Sequence, residues 1–152
     1  MRPDRIDALG ESDLTLGGLR LWVHGREFED ASDYWDGNWL RVSMRCEYPG
    51  AQVSLDGPVL HLGDLRSFLS QVEELHATFH GSAQLACIEP NLQVGLVIDG
   101  KGRVRVTIDI TPNHLQQNHR FVDELDQTHL RPVMAACRTI LSRYPIRGDA
   151  PH

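Results

Sequence analysis

Cysteine is scarce in this 152-residue sequence: Cys46, Cys87 and Cys137 are odd in number, far apart and outside any C-x-x-C pair. That spacing excludes a disulfide framework and a cysteine zinc site. All three fall at core-like positions in the patterns below, as buried reduced thiols do. No apolar run approaches a membrane span. The opening Met1-Arg2-Pro3-Asp4-Arg5 leads into no apolar segment of the kind a secretory signal needs. No G-x-S-x-G, P-loop, G-x-G-x-x-G or kinase signature occurs. Low-complexity tracts and internal repeats are also missing. The expectation is a cytoplasmic protein with no cofactor, no metal and no membrane partner.

What is present is an ordinary globular composition, 41% hydrophobic and 24% charged. The length suits one domain, 1–152, with loose ends at 1–12 and 146–152. A formal net charge of −6 favours solubility, argues against a dedicated nucleic-acid binder and suits a basic partner.

Period-two alternation predicts a strand at Leu19, Leu21 and Val23, ending at Gly25. A longer strand follows, with Leu40, Val42, Met44, Cys46 and Tyr48 on one face and Trp39, Arg41, Ser43, Arg45 and Glu47 on the other. Pro49-Gly50 turns the chain into a third strand, Ala51 to Leu55, closed by Asp56-Gly57-Pro58. Leu65, Phe68, Leu69, Val72, Leu75 and Phe79 then form one helical stripe, with Asp64 as expected N-cap and Gly81 as stop. Strands are expected at Ala83 to Ile88 and Leu92 to Ile98. Asp99-Gly100-Lys101-Gly102 is a hairpin turn into Arg103–Ile110. Asn118 to Leu125 is ambiguous, with a further strand as one reading. Leu130, Val133, Met134, Cys137, Leu141 and Tyr144 define a last helix, with Pro132 in its first turn and Pro145 and Gly148 stopping it. The order βββ–α–βββ–α with short turns predicts an α+β fold: a single antiparallel sheet of about five to six strands, with two amphipathic helices on one face.

Candidate chemistry is thin. His76 and His80 stand four apart, the spacing of helical zinc ligands, but no general-base Glu lies between them and Phe79 continues the apolar stripe. His114 and His119 have no further ligand at the right spacing, and His24 and His129 read as rim residues. Glu73 and Glu74 are consecutive and point to different faces of their helix. Asp33 and Asp36 have aromatic neighbours that could desolvate a carboxyl, yet Asp before Gly and Asn is ordinary turn chemistry.

Two surfaces stand out instead. The segment Glu27 to Asp36 interleaves acids with Phe28, Tyr34 and Trp35. A charged run is usually just a solvated loop, but solvation does not require large aromatics. Acids that steer an encounter and aromatics that supply buried area are what a protein offers a basic partner. The candidate partner-binding residues are Glu29, Asp30, Asp33, Tyr34, Trp35 and Asp36. The second candidate is the outward sheet face, where Trp22, Arg41, Arg45, Arg103 and Arg105 would share one wall if the strands align. Cross-strand pairing with Glu47 and Asp109 is the plainer account of those arginines.

At "DYWDGNWLRV", Asp33 to Val42, the sequence resembles the WapI-type family of bacterial immunity proteins. The resemblance continues in "LGDLRSFLSQVEEL", Leu62 to Leu75, and "ELDQTHLRPVMAACRTILSRYP", Glu124 to Pro145. Asn38-Trp39-Leu40 and Asp126-Gln127-Thr128 are its distinctive pieces. It implies a cytosolic protein that binds and blocks a cognate polymorphic toxin, often a nuclease, without catalysis or cofactor. The expectation is therefore an immunity protein with a protein partner, such as a basic toxin domain. The rivals are a small-ligand or enzymatic domain with a pocket at the aromatic turn 33–39, and an interaction domain with no toxin. Open sheet edges or the arginine face also leave room for a homodimer.

Overall fold

The computed structural model describes residues 9–151. The first eight residues of the expected loose lead-in, and His152, lie outside the described residues. The chain runs as four strands and a helix, then four strands and a helix: β1 (Leu14–Leu16), β2 (Leu19–Arg26), β3 (Trp39–Tyr48), β4 (Ala51–His61), α1 (Leu62–Thr78), β5 (Gly81–Ala86), β6 (Leu92–Ile98), β7 (Arg103–Ile110), β8 (Arg120–Asp126) and α2 (Leu130–Arg143). The α+β class and the antiparallel pairing are as expected. The single sheet is not: there are two four-stranded sheets, ordered β1-β2-β3-β4 and β5-β6-β7-β8. Each is a simple meander, and α1 carries the chain out of the first sheet before the second begins.

Register follows the alternation. Leu21 faces Met44, Leu19 faces Cys46, and Met44 faces Leu55 across the first sheet. In the second, Leu85 faces Val94, which faces Ile108, which faces Phe121. These rows and the stripes of both helices form one buried core. Full burial of a Leu, Val or Phe side chain contributes about 1.5–3 kcal/mol. The two sheets also meet through polar atoms: the Tyr48 hydroxyl donates to Asp123 (2.9 Å), accepts from Gly18 N (2.9 Å), and its ring stacks on Phe121.

Several boundaries differ from the sequence expectation for local reasons. The third predicted strand does not close at Asp56-Gly57-Pro58 but runs to His61, with a register shift between Leu40 and Val42 on its partner. Pro58 is tolerated because, among the described residues, β4 is the edge strand of its sheet. Asp64 does not cap α1. His61 does, its Nδ1 accepting from Gly63 N (3.1 Å), while the Asp64 carboxylate accepts from Ile88 N (3.2 Å). Phe79 does not continue the apolar stripe. It is the left-handed C-cap (φ 56°), 40% exposed, with its N–H on the Leu75 carbonyl. The helix thus ends at Thr78, and His80 lies beyond it rather than one turn from His76 on the same helix. The tail expected to be loose from residue 146 is fastened at its first residues, as the next subsection shows.

Candidate partner-binding site

The chain leaves β2 after Arg26 and re-enters the sheet at Trp39. Glu27 N donates to Trp39 O (2.9 Å), so the mouth of this excursion stays closed. Between them lies only one short 3-10 turn, Asp36–Asn38. Asp33 organises it: its carboxylate accepts from Asp36 N (3.0 Å) and its carbonyl from Gly37 N (3.0 Å). An Asp side chain accepting from a backbone N–H a few residues on is common turn chemistry, but the residue that does so is Asp33 and not Asp36, the one ahead of Gly37. Gly37 is required for space, since a Cβ there would stand 2.8 Å from the Ala31 carbonyl oxygen.

The loop's carbonyls are satisfied by side chains from elsewhere. Arg147 donates from its guanidinium to the carbonyls of Glu29 (2.6 Å) and Ala31 (2.8 Å). Buried Asn38 donates from Nδ2 to the Tyr34 carbonyl (2.7 Å) and the Arg147 carbonyl (2.9 Å), and its Oδ1 accepts from Arg147 N (2.8 Å). Arg26 donates to the carbonyls of Gly37 and Pro145. Burial and the neighbouring Arg147 charge lower the Arg26 pKa from its ordinary value. His61 completes the set. Its Nδ1 must accept from Gly63 N, so Nε2 carries the proton and donates to the carbonyls of Tyr34 and Trp35 (3.2 Å each).

With the backbone held from inside, the side chains turn out. Phe28 is 49% and Trp35 50% exposed. Glu29, Asp30, Asp33 and Asp36 are exposed as well. Five of the six first-choice residues therefore share one exposed loop. Tyr34 is the exception: its ring is half-buried, 5.1 Å from both the Trp35 and His61 ring centres. Trp39 also closes on His61, at 5.0 Å. The rings of the aromatic turn, where a rival reading placed a ligand pocket, thus pack against one another and His61.

The second candidate set is not brought together. Arg41 is exposed and paired with Glu27 (3.1 Å). Arg45 and Trp22 are buried, 5% and 4% exposed, and the Trp22 indole N–H donates to the Gly10 carbonyl (3.1 Å). Arg103 and Arg105 belong to the other sheet, where they stand opposite Asp126 and Glu124. The common wall required one continuous sheet, and the two-sheet topology removes it.

Catalytic alternatives fare no better in geometry. His24 Nε2 meets Ser43 Oγ at 2.7 Å, and Ser43 donates to Asp56 (3.2 Å). The carboxylate thus holds the serine proton and does not orient the histidine, the reverse of a nucleophile triad. Asp36 is not part of that cluster. Burial pushes the thiols of Cys46, Cys87 and Cys137 each up to about 12, which keeps them protonated and unreactive near neutrality. Among the described residues no group of three or more His, Cys, Asp or Glu is placed to hold a metal ion. No helix among them is long and apolar enough to cross a membrane.

The family model described as "Immunity protein WapI-like family" matches residues 11–145. The chain belongs to that family. Its matched region includes the whole exposed loop and both helices, and stops just short of Ile146 and Arg147. No curated protein matches the chain. Among solved structures it is similar to a chain of the "CdiA-CT/CdiI toxin and immunity complex from Enterobacter cloacae", at 11% identity and a TM-score of 0.45, over 78% of this chain and 97% of that one. A likeness that distant carries no argument. Sequence reasoning found the exposed side chains of the loop and the family, but missed Arg26, Asn38, His61 and Arg147 as the residues that shape it. Arg147 is 109 residues from Asn38, and no local pattern connects them.

Proposed function

We propose that this protein neutralises a cognate toxin by direct binding, blocking it sterically and electrostatically through the loop Phe28 to Asp36. Family membership supports the immunity role. The observation that supports this surface is a rigidly bonded loop whose outward side chains are two half-exposed aromatics and four acids. Aromatic anchors with acidic neighbours suit a basic protein partner, such as a nuclease domain. The role is that of a cytoplasmic binder rather than a catalyst. A homodimer remains a secondary expectation, through a free edge such as β8.

The test is growth rescue. Co-expression with the toxin encoded beside this chain's gene should restore growth of a sensitive host. Failure to restore growth against that toxin, or the absence of any toxin-like gene beside this one, would contradict the proposal.

A further inference from the structure

We infer that Arg147, acting with Asn38, is a positioning residue: it fastens the loop in its binding shape before any partner arrives. The inference rests on the reading of Phe28 to Asp36 as the contact surface. Its basis is a division of labour within the loop. The carbonyls of Glu29, Ala31, Tyr34, Trp35 and Gly37 all accept hydrogen bonds from side chains outside residues 27–37. The side chains of Glu29, Asp30, Asp33, Trp35 and Asp36 meanwhile face solvent. A loop built only to connect β2 with β3 would need neither the internal bonding nor the outward aromatics.

Arg147 is the central fastener. Its guanidinium binds the first half of the loop, its own N–H and carbonyl bind Asn38, and Asn38 in turn binds the second half at Tyr34. Gly148 follows so closely that a Cβ on it would stand 2.7 Å from Tyr34 N. Both bonds leave the same nitrogen, Nη1, of a planar, permanently charged group whose reach and geometry a lysine ammonium does not reproduce. A loop already in shape loses little freedom on binding, and loosening it lowers the fraction of molecules ready to bind.

The full chain carrying Arg147→Ala is compared with wild type by amide exchange in the free state and by affinity. The affinity probe is an inactivated form of the toxin domain encoded beside the gene. Both are measured well below the melting temperature. The amides of Asp36 and Gly37 should exchange faster while those inside α1 stay protected, and affinity should fall about tenfold, as expected when the ready fraction falls to a tenth. Arg147→Lys should lie between the two, and it carries the same test if Arg147→Ala does not fold. Unchanged loop exchange overturns the inference. Faster exchange with unchanged affinity overturns it too, while the contact surface itself stands if Trp35→Ala weakens binding. If neither Arg147→Ala nor Trp35→Ala affects affinity, the contact surface and the inference fall together.

Discussion

At the residue scale, much of the chemistry lies in groups that a sequence pattern cannot rank. Asn38 was legible as the start of a strand beside Trp39, not as a buried hub with three bonds to the loop and the tail. Asn38→Ala would leave the Tyr34 carbonyl and the Arg147 backbone without those partners. It should lower unfolding free energy by about 1–3 kcal/mol, the cost of a buried polar group left unpaired. Urea denaturation checks this, and an unmoved midpoint would count against the hub. The cysteines were legible, because each sits on an apolar stripe. Their folded pKa values, about 12 against an ordinary 9.0, fix the sign of an alkaline effect. Raised folded values mean that the thiols' contribution to stability is intact below pH 9 and is lost as pH rises towards 12. Tyr48, raised from 10.0 to about 12 mainly by burial, acts in the same direction. Stability followed by circular dichroism should therefore fall across that window. Alkylation at pH 8 should leave all three thiols unmodified until the protein is unfolded.

At the scale of elements, alternation and stripes located six of the eight strands and both helices, and offered β8 only as one reading of an ambiguous stretch. The missed strand, β1, has three residues, too short for a period to show. What it lacks in length it gains from a tight turn. Gly18, between β1 and β2, sits so close to the neighbouring strand that a Cβ would stand 2.3 Å from the Glu47 carbonyl oxygen. Backbone cannot move aside as a flexible side chain can. Gly18→Ala should cost about 1–3 kcal/mol, the range for overpacking, and should also disturb the Gly18 N to Tyr48 hydroxyl bond. A shift in the urea midpoint checks it, and a neutral result would show that the turn has room to slide. Helix caps were less legible: an Asp at the start of an apolar stripe suggests an N-cap, yet His61 holds that position because its other nitrogen is engaged with the loop.

At the scale of the molecule, the class and pairing mode could be read but the partition into two sheets could not. Alternation reports which face of a strand is buried, and says nothing about which strand lies beside it. That one uncertainty dissolved the arginine wall, since Arg41 and Arg105 lie on different sheets. The acidic and aromatic residues share one loop because they are consecutive and need no long-range register. The central claim is that this loop is the contact surface for the toxin. The most direct test is the affinity of the inactivated toxin domain for a variant combining Trp35→Ala with Asp30→Lys and Asp36→Lys, all exposed positions. The account predicts a loss of at least about 30-fold, the size of a 2 kcal/mol hot spot, with a nearly unchanged melting temperature. An unchanged affinity in the folded variant would contradict it.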